Sequence, residues 1–526
     1  MSIQGVHLIS GEDVSGQGSL RAINPSSGEI LEPIFPEASS ENIDVAVGAA
    51  LSVHEERAAA DPQKRAQLLE AAAERIDAIG SEITERGMQE TGLPQARFEG
   101  ERGRTCHQLR LFASVVREGL FQNPIIETAL AQRQPLPRPD LRTRMQAIGP
   151  VAVFGASNFP LAFGIAGGDT ASAWAAGCPV IAKGHPAHPG VCELVGRALQ
   201  EAVRDVGLPA GMFSLLQGES FDVGTGLIKH PGIRAVAFTG SRAGGLSLWR
   251  LANGREVPIP VFAEMGSTNP VFILPAAMQQ RGQQIAEGLA GSVRLGVGQF
   301  CTCPGVVVIL SDENTASFKD ELRQSLCDEP VGTMLHKGIH GGYENAVDQL
   351  SARNGVKVIA RGPAGDDVCG VGASLLQVDF KNFIADPAMQ GEVFGPATLL
   401  VECHSLEEIN DVARALEGQL TATVHATEDE IAELSSLLHL LEDRVGRLVF
   451  NDFPTGVEVG ESMQHGGPWP ATTDSRWTSV GAAAIQRFLR PVCWQGFPDG
   501  ALPEELRSGA VGMRRIDGAW QEFGNS

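Results

Sequence analysis

The sequence predicts an α/β protein whose parallel β-sheets are covered by helices on both faces. From residue 146 onward, short apolar runs alternate with helical stretches. Such alternation is typical of a parallel sheet whose strands are buried on both sides. The chain has 526 residues. That length is too great for one compact core, so two or more domains are expected.

The first part of the chain is predicted to be helical. Segments 42–60, 62–90 and 96–120 are rich in Ala, Leu, Glu and Arg, with apolar residues at helical spacing. Residues 124–140 carry four prolines and little periodicity. We predict an extended connector or edge segment there.

Strand and helix predictions then alternate to about residue 352. The first block has strands at 147–154, 180–182, 213–216 and 235–238, with helices at 161–176, 191–206, 223–229 and 241–252. The second block has strands at 260–262, 270–274 and 306–310, with helices at 278–295 and near 315–326 and 340–352. The polar tail from Leu502 is predicted to lie on the surface.

Charge and composition exclude some classes of partner. The net charge is −22, so nucleic acid and anionic lipid are not expected as partners. The longest uncharged stretch, 145–168, contains two prolines and five glycines. It therefore predicts strand, turn and helix rather than a membrane span.

The cellular location is predicted from the chain start and the cysteines. The first basic residue is Arg21, so a secretory signal is not expected. Nine scattered cysteines, an odd number, indicate reduced thiols in the cytoplasm rather than a disulfide framework.

The most specific local signal is the sequence GQFCTCPG at 298–305. It follows a predicted apolar helix and precedes a strand. A cysteine on such a loop can face a cleft where nearby dipoles favour the thiolate. A single cysteine is nevertheless more often a small buried apolar residue, and Cys303 competes with Cys301.

Two further signals lie at predicted strand ends, where α/β proteins bind ligands. Glu264 follows the strand at 260–262, although a surface turn is the commoner place for such a residue. Asn158, in Ser157-Asn158-Phe159-Pro160, could donate to an oxyanion or, equally, cap the next helix.

A glycine-rich turn, FTGSRAGG at 238–245, leads from a strand into a helix. Its free N–H groups could bind a phosphate, although it is not the usual G-x-G-x-x-G pattern. Lys183 adds a cation near the same sheet edge, where most lysines are merely solvated.

Taken together and in this order, these motifs resemble the aldehyde dehydrogenase superfamily. The matching elements are Asn-Phe-Pro, a lysine, Phe-Thr-Gly-Ser, Glu-Met-Gly, Gly-Gln-Phe-Cys and the sequence EVFGP at 392–396. The resemblance runs from Asn24-Pro25 to Gly481 and beyond. It implies oxidation of an aldehyde to an acid by a nicotinamide cofactor, through a cysteine thiohemiacetal and thioester.

The resemblance assigns site residues one by one. It implies Cys301 as nucleophile, Glu264 as general base and Asn158 as oxyanion donor. It implies a cofactor site formed by Lys183, Gly240, Ser241, Gly245, Glu392 and Phe394, the last two at the nicotinamide ribose. It implies a substrate pocket that includes Phe159, Ala162 and Ala166.

The fold implied is aldehyde dehydrogenase-like, with two Rossmann-like domains and a small bridging segment. The cofactor-binding domain would comprise residues 1–123 and 145–262, and the catalytic domain 263–466. Residues 124–144 and 467–526 would supply the bridging segments and the tail. A homodimer or homotetramer is implied, with 124–144 and 487–494 in the interface.

Two positions depart from the common family pattern. Where NAD-preferring members often have a glutamate three residues after the lysine, this chain has Pro186. A carboxylate there would repel a 2′-phosphate, so we expect NADP, with NAD also accepted. The asparagine often found five residues before the cysteine is Gly296.

Finer resemblance indicates one branch, the α-ketoglutarate semialdehyde (2,5-dioxovalerate) dehydrogenases. It rests on GHPAHP at 184–189, HGGPWPAT at 465–472 and GAAAIQRFLRPV at 481–492. An NADP-dependent fatty aldehyde dehydrogenase has similar motifs and remains the alternative. Ala166 replaces a bulky tunnel residue, which suits either substrate, and Arg294 is a candidate for binding a substrate carboxylate.

Three other readings are weighed against this one. CoA-dependent acylation is disfavoured by Glu264, a base suited to hydrolysis. A catalytically silent binding protein is disfavoured by the intact Cys301, Glu264 and Asn158. No metal is expected, because no His/Cys cluster has ligand spacing in the sequence.

Overall fold

The computed structural model describes residues 2–523, so the last three residues of the predicted C-terminal segment lie outside it. Its strands are β1 (His7–Ile9), β2 (Glu12–Val14), β3 (Leu20–Ile23), β4 (Ile30–Phe35), β5 (Ile125–Glu127), β6 (Leu141–Ala147), β7 (Val151–Phe154), β8 (Val180–Lys183), β9 (Phe213–Leu216), β10 (Ala235–Thr239), β11 (Val261–Glu264), β12 (Val271–Ile273), β13 (Val306–Leu310), β14 (Gly332–Thr333), β15 (Lys357–Arg361), β16 (Gly370–Val371), β17 (Ser374–Asp379), β18 (Ala397–Cys403), β19 (Gln419–His425), β20 (Val445–Phe450), β21 (Leu489–Gln495), β22 (Gly512–Ile516) and β23 (Ala519–Phe523). Its α-helices are α1 (Ser40–Glu55), α2 (Pro62–Ala78), α3 (Gly80–Thr91), α4 (Gln95–Glu118), α5 (Gly168–Ala176), α6 (Pro189–Asp205), α7 (Phe221–Lys229), α8 (Arg242–Asn253), α9 (Pro275–Arg294), α10 (Thr315–Cys327), α11 (Lys337–Ser351), α12 (Phe380–Ala385), α13 (Leu406–Ala415), α14 (Glu428–Glu433) and α15 (Ser435–Glu442).

The first sheet has the order β11-β10-β7-β8-β9-β1-β2. Strands β7 to β11 are parallel, and β1 joins β9 antiparallel. Val151 and Val153 of β7 pack in one hydrophobic core, while Ala152 between them packs in the core on the opposite face. Because successive strand residues point to opposite faces, uninterrupted apolar runs produce a sheet buried on both sides.

The second sheet has the order β15-β17-β18-β13-β12-β19-β20 and is parallel except for its edge strand β15. Here too the sides alternate, since Val271 and Ile273 pack on one face and Phe272 on the other. The predicted α/β class with two parallel sheets is confirmed.

A third sheet joins distant parts of the chain in the order β21-β6-β5-β22-β23. Strand β6 pairs antiparallel with β21 along seven residues, and β5 pairs with β22. The segment predicted as a connector therefore begins with a strand. The tail from Leu502 to residue 523 is mostly exposed, as predicted. It also contributes β22 to this sheet and buries the Arg514 side chain, which the sequence did not indicate.

Two helix predictions also differ. The segment predicted as one helix at 62–90 divides at Ile79 into α2 and α3. The helix predicted from residue 161 begins only at Gly168. The Glu101 carboxylate accepts hydrogen bonds from the backbone N–H groups of Leu161 and Ala162, at 2.7 and 2.9 Å. This buried acceptor stabilises a compact turn in place of the first helical turns.

Between residues 2 and 523, no helix combines the length and the apolar character that crossing a membrane requires.

Candidate active site

Three reactive side chains from distant segments meet at one point. Glu264 ends β11, Cys301 lies on the loop after α9, and His465 lies on the loop after β20. The His465 Nε2 atom is 3.5 Å from the Cys301 Sγ atom and 3.3 Å from the Glu264 Oε2 atom. Glu264 and His465 are buried, and Cys301 is partly exposed. A nucleophile, a carboxylate and an imidazole thus surround one small space.

The loop that carries Cys301 needs an unusual backbone. Gly296, Val297 and Gly298 have φ values of 56°, 60° and 66°. A Cβ on Gly298 would lie 2.2 Å from the Gly395 carbonyl carbon, and one on Gly296 would lie 2.4 Å from the Phe300 ring. Both positions therefore favour glycine, because the backbone has a positive φ angle and a Cβ atom would overlap neighbouring atoms. This explains why the common asparagine is replaced at position 296.

Asn269 supports the same loop, a role that sequence reasoning missed. Its Nδ2 atom donates to the carbonyls of Cys301 and Cys303, at 2.8 and 2.9 Å. Its Oδ1 atom accepts from the hydroxyls of Ser267 and Thr421. Asn269 is fully buried. The position after a Glu-Met-Gly motif and before a strand was the available signal.

Asn158 lies beside the Cys301 loop. Its Nδ2 atom donates to the Gln299 carbonyl at 2.8 Å. Neither Ser157 nor Asn158 caps α5, because that helix starts at Gly168 with Gly167 at its N-cap. The alternative that Asn158 is a helix cap is therefore excluded, and the amide stays available near the nucleophile.

The thiol of Cys301 lies in a buried environment beside a carboxylate. Burial raises the pKa of Cys301 well above its usual value, and the nearby Glu264 carboxylate raises it further. The expectation that local dipoles can favour the thiolate stays a prediction. Formation of the thiolate requires a neighbouring proton acceptor.

Cys303 has a different environment. Its side chain is buried, with its sulfur near the carbonyls of Val293 and Gly395, and burial raises its pKa to about 12. It does not reach the space between Glu264 and His465. The two cysteines, which cysteine chemistry alone left in competition and motif position resolved in favour of Cys301, therefore have different surroundings.

The predicted substrate-pocket residues are placed differently from one another. Phe159 is partly exposed and packs edge-on against Phe163 and Phe300. Ala162 and Ala166 are each 1% exposed, and Ala166 packs in the core of the first sheet. Of the three residues, Phe159 alone thus offers surface to a bound molecule in this conformation.

The predicted phosphate turn leads into α8. The Ser241 hydroxyl caps this helix by accepting from the Gly244 N–H at 3.2 Å. A Cβ on Gly245 would lie 2.6 Å from the Met265 sulfur, so only glycine lets α8 start this close to β11. Gly240 donates its N–H to the Glu264 carbonyl. The exposed helix start fits an anionic cofactor group.

The remaining predicted cofactor residues lie at the ends of other elements. Lys183 ends β8, and its Nζ atom donates to the Gly218 carbonyl at 2.6 Å. Glu392 approaches the Ser267 N–H at 3.4 Å, and burial raises its pKa to about 7. Phe394 follows in the same partly exposed loop.

Two arginines near Cys301 were not anticipated. Arg104 of α4 donates to the Val457 carbonyl, and Arg447 of β20 donates to the carbonyls of Pro454 and Gly456. Burial lowers the pKa of both groups, and both interact electrostatically with Cys301. Within residues 2–523, neither forms an ion pair, and each has a buried Nε atom without a hydrogen-bond partner.

Arg294, the arginine that the sequence suggested, is used elsewhere. Its guanidinium donates to the carbonyls of Leu326, Glu329 and Pro330. Arg294 therefore stabilises the turn after α10. These contacts do not support the suggested role of Arg294 in binding a substrate carboxylate.

The expectation of no ligand cluster must also be revised. Among the described residues, one potential ligand atom each from Glu264, Cys301 and His465 lies within 4.8 Å of the other two. The expectation that no metal binds stays a prediction. Sequence spacing could not reveal this set, because 164 residues separate Cys301 from His465.

Comparison with known proteins identifies the family. Residues 13–486 match the aldehyde dehydrogenase family. The chain is 50% identical to alpha-ketoglutaric semialdehyde dehydrogenase 2 of Azospirillum brasilense, covering 96% of this chain and 97% of the relative. It is 42% identical to alpha-ketoglutaric semialdehyde dehydrogenase of Acinetobacter baylyi, covering 96% of each.

Solved structures show the same fold. PnpE in complex with nicotinamide adenine dinucleotide superposes with a TM-score of 0.79 at 20% identity, covering 94% of this chain and 97% of that one. Aldehyde dehydrogenase C of Pseudomonas syringae, in complex with NAD+ and octanal, gives 0.78 at 20% identity, covering 95% and 98%. The chain belongs to the aldehyde dehydrogenase family and is an enzyme that oxidises an aldehyde with a nicotinamide cofactor.

Proposed function

We propose that the enzyme oxidises α-ketoglutarate semialdehyde to α-ketoglutarate, with NADP as the preferred cofactor. The substrate has an aldehyde at one end and a carboxylate at the other. The observation that carries this proposal is the pair of arginines, Arg104 and Arg447, beside Cys301. The names of the two relatives described above support the same substrate.

The arginine pair favours a charged substrate for an energetic reason. A half-buried guanidinium that hydrogen-bonds only to carbonyls has lost hydration without gaining a close ion pair. Carboxylates act on these groups only at longer range, Glu101 and Glu458 on Arg104 and Asp452 on Arg447. Both groups donate to the loop at 454–457, whose Thr455 carbonyl accepts from the Thr302 hydroxyl next to the nucleophile. A substrate carboxylate bound there would supply the missing charge, and its aldehyde could reach Cys301.

The same pair disfavours the fatty aldehyde alternative. An alkyl chain lying against two partly buried guanidinium groups would desolvate them further without compensation. The aromatic side chains Phe159, Phe163 and Phe300 offer apolar surface near the nucleophile, but Arg97 lies over two of them, 4.2 Å from the Phe159 ring centre and 4.7 Å from that of Phe300. Arg97 is itself paired with Glu101, so the apolar surface is bordered by charged groups.

The first chemical step uses Cys301, His465 and Asn158. Because the thiol has a raised pKa, it must lose its proton to a neighbour, and we assign this to His465 Nε2 at 3.5 Å. The sulfur attacks the aldehyde carbon, forming the C–S bond of a thiohemiacetal. The Asn158 amide donates to the oxygen on which negative charge develops.

The second half of the reaction regenerates the thiol. A nicotinamide cofactor would be held by Lys183, Ser241 and Glu392, and when bound it would supply the acceptor for the hydride of the thiohemiacetal. Cys301 then carries a thioester. Glu264 removes a proton from water, whose oxygen attacks the thioester carbon. The C–S bond breaks, the acid leaves, and the sulfur is free for another cycle.

The preference for NADP rests on charges at the end of β8. Lys183 can pair with a 2′-phosphate, and Pro186 supplies no competing carboxylate. Desolvation lowers the pKa of Lys183, while Glu37 and Glu219 raise it, so these two carboxylates lie close enough to oppose a phosphate. We expect the attraction of Lys183 for the 2′-phosphate, without a carboxylate at position 186, to outweigh the repulsion from Glu37 and Glu219.

We also propose a cytoplasmic homodimer or homotetramer. All nine cysteines are free thiols, as expected in a reducing compartment. Strand β21 lies at the edge of the third sheet, and Arg490, Pro491 and Cys493 on it are exposed. An edge strand of this length is a suitable surface for pairing with another subunit.

Replacement of the nucleophile tests the cysteine assignment. Cys301→Ala should abolish formation of reduced cofactor, because no other sulfur faces Glu264 and His465 within the described chain. Cys303→Ala should retain most activity. Steady-state absorbance of the reduced cofactor measures both variants. A dead Cys303→Ala beside an active Cys301→Ala would reverse the assignment.

Replacement of the base should separate the two halves of the reaction. In Glu264→Gln, the amide cannot take a proton from water, so thioester hydrolysis should slow by roughly 10²–10⁴-fold. Stopped-flow measurement should then show a burst of reduced cofactor followed by a slow phase. Normal steady-state turnover would remove Glu264 from the mechanism.

Replacement of the two arginines tests the substrate. For Arg104→Gln and Arg447→Gln, kcat/KM with carboxylated semialdehydes should fall roughly 10- to 100-fold. This loss corresponds to the free energy that a hydrogen bond between charged groups contributes to binding. Uncharged aldehydes of equal length should change less than about threefold, since they make no ion pair.

Arg294→Gln is the matched control, because that guanidinium contacts only carbonyls of the turn after α10. It should leave both substrate classes unchanged. If kcat/KM climbs steadily with uncharged chain length and carboxylated substrates are poor, the fatty aldehyde function is the correct one. The same assays repeated with CoA test the CoA-dependent alternative, in which formation of reduced cofactor would depend on CoA.

Cofactor preference can be tested by adding the missing carboxylate. The wild-type enzyme should show the higher kcat/KM with NADP. Pro186→Glu should lower that value at least about tenfold, or 1.4 kcal/mol, through repulsion of the 2′-phosphate. Glu219→Gln should raise it, since a carboxylate near Lys183 is removed. A wild-type preference for NAD of tenfold or more would contradict the proposal.

A further inference from the structure

The group formed by Glu264, Cys301 and His465 has the dimensions of a metal site. In a tetrahedral zinc site, bonds to sulfur, nitrogen and oxygen of about 2.0–2.3 Å place neighbouring ligand atoms about 3.3–3.6 Å apart. Here the sulfur–nitrogen distance is 3.5 Å and the nitrogen–oxygen distance is 3.3 Å. A zinc ion could therefore bridge these atoms with small side-chain rotations.

The chemistry of the three ligands also suits zinc. Thiolate, imidazole and carboxylate are its usual protein ligands, and softness of the sulfur excludes magnesium or calcium. The buried Glu264 Oε2 atom has no hydrogen-bond partner among the described residues. A buried carboxylate oxygen in that state is stabilised by a cation.

The backbone around the ligands is already fixed. The His465 N–H donates to the Thr478 hydroxyl at 2.9 Å, and the His465 carbonyl accepts from the Ser479 N–H at 2.9 Å. Asn269 holds the Cys301 carbonyl. Such preorganisation lowers the cost of ligand binding.

We propose that Zn²⁺ binds Glu264, Cys301 and His465 in the enzyme and inhibits it reversibly. On binding, the Cys301 thiol releases its proton to solvent and a zinc–sulfur bond forms, with no change of oxidation state. The fourth position takes water. The ion occupies the space where the aldehyde carbon must meet the sulfur, so inhibition is competitive with aldehyde.

Inhibition rests on the proposed roles of Cys301 and Glu264, whereas metal binding rests on geometry alone. Chelator-treated enzyme is therefore titrated with Co²⁺ as a spectroscopic substitute and with Zn²⁺ by calorimetry. One equivalent of Co²⁺ should give a thiolate-to-metal charge-transfer band and the visible bands of a tetrahedral ion. One equivalent of Zn²⁺ should bind and abolish turnover, and a chelator should restore it.

Variants identify the ligands. Cys301→Ser should lose the charge-transfer band, and His465→Asn and Glu264→Gln should each weaken Zn²⁺ binding at least about tenfold. Cys192→Ser is the matched control. The Cys192 sulfur also lies near a histidine, 3.4 Å from the His188 Nδ1 atom, but belongs to no three-ligand group among the described residues. Thermal unfolding checks that each variant is folded.

The outcomes separate the two proposals. If Zn²⁺ does not bind, or if Cys301→Ser and His465→Asn bind it as the wild type does, the metal site is refuted while the catalytic proposal stands. Loss of the band in Cys192→Ser alone would assign the metal to the other pair and also refute the site. If Cys301→Ala still oxidises aldehydes while the wild type binds one Zn²⁺, the mechanism fails and the metal site stands.

Discussion

The buried amide of Asn269 connects the two parts of the molecule that must meet for catalysis. It lies between the end of β11 and the start of β12, and its Nδ2 atom holds the carbonyls of Cys301 and Cys303. Loss of this side chain would leave one buried and one partly buried carbonyl without this partner, at up to about 1–3 kcal/mol each. The left-handed backbone at 296–298 then persists because packing and these hydrogen bonds fix the loop on both sides.

The fold and part of the site could be predicted from the sequence because they depend on local pattern. Strand positions followed from apolar runs, since residues such as Val151 and Ala152 are buried on opposite faces of a parallel sheet. The errors arose where a distant residue decides local structure. The helix expected at residue 161 is delayed by the Glu101 carboxylate, and the tail strand β22 forms because β5 pairs with it.

The same limit applied to the site. Cys301 and Glu264 stand in short motifs, whereas His465, Arg104 and Arg447 come from separate segments and carry no motif that reports proximity. The two arginines are also ordinary residue types for a helix and a strand. Their importance follows from burial, from the absence of close ion pairs among the described residues and from their electrostatic interaction with Cys301. That of His465 follows from its distance to the Cys301 sulfur.

Catalysis and metal binding make overlapping geometric demands. A thiolate must reach the aldehyde carbon, and its base and proton acceptor must lie within hydrogen-bond distance of the same few atoms. A zinc ion needs sulfur, nitrogen and oxygen atoms about 3.3–3.6 Å apart, which is nearly the same arrangement. A site with a carboxylate and a cysteine alone would bind the ion through two ligands. The addition of His465 supplies a third, so the residue assigned here to accept the thiol proton is also the one that completes the metal site. Aldehyde and metal then compete for one sulfur atom.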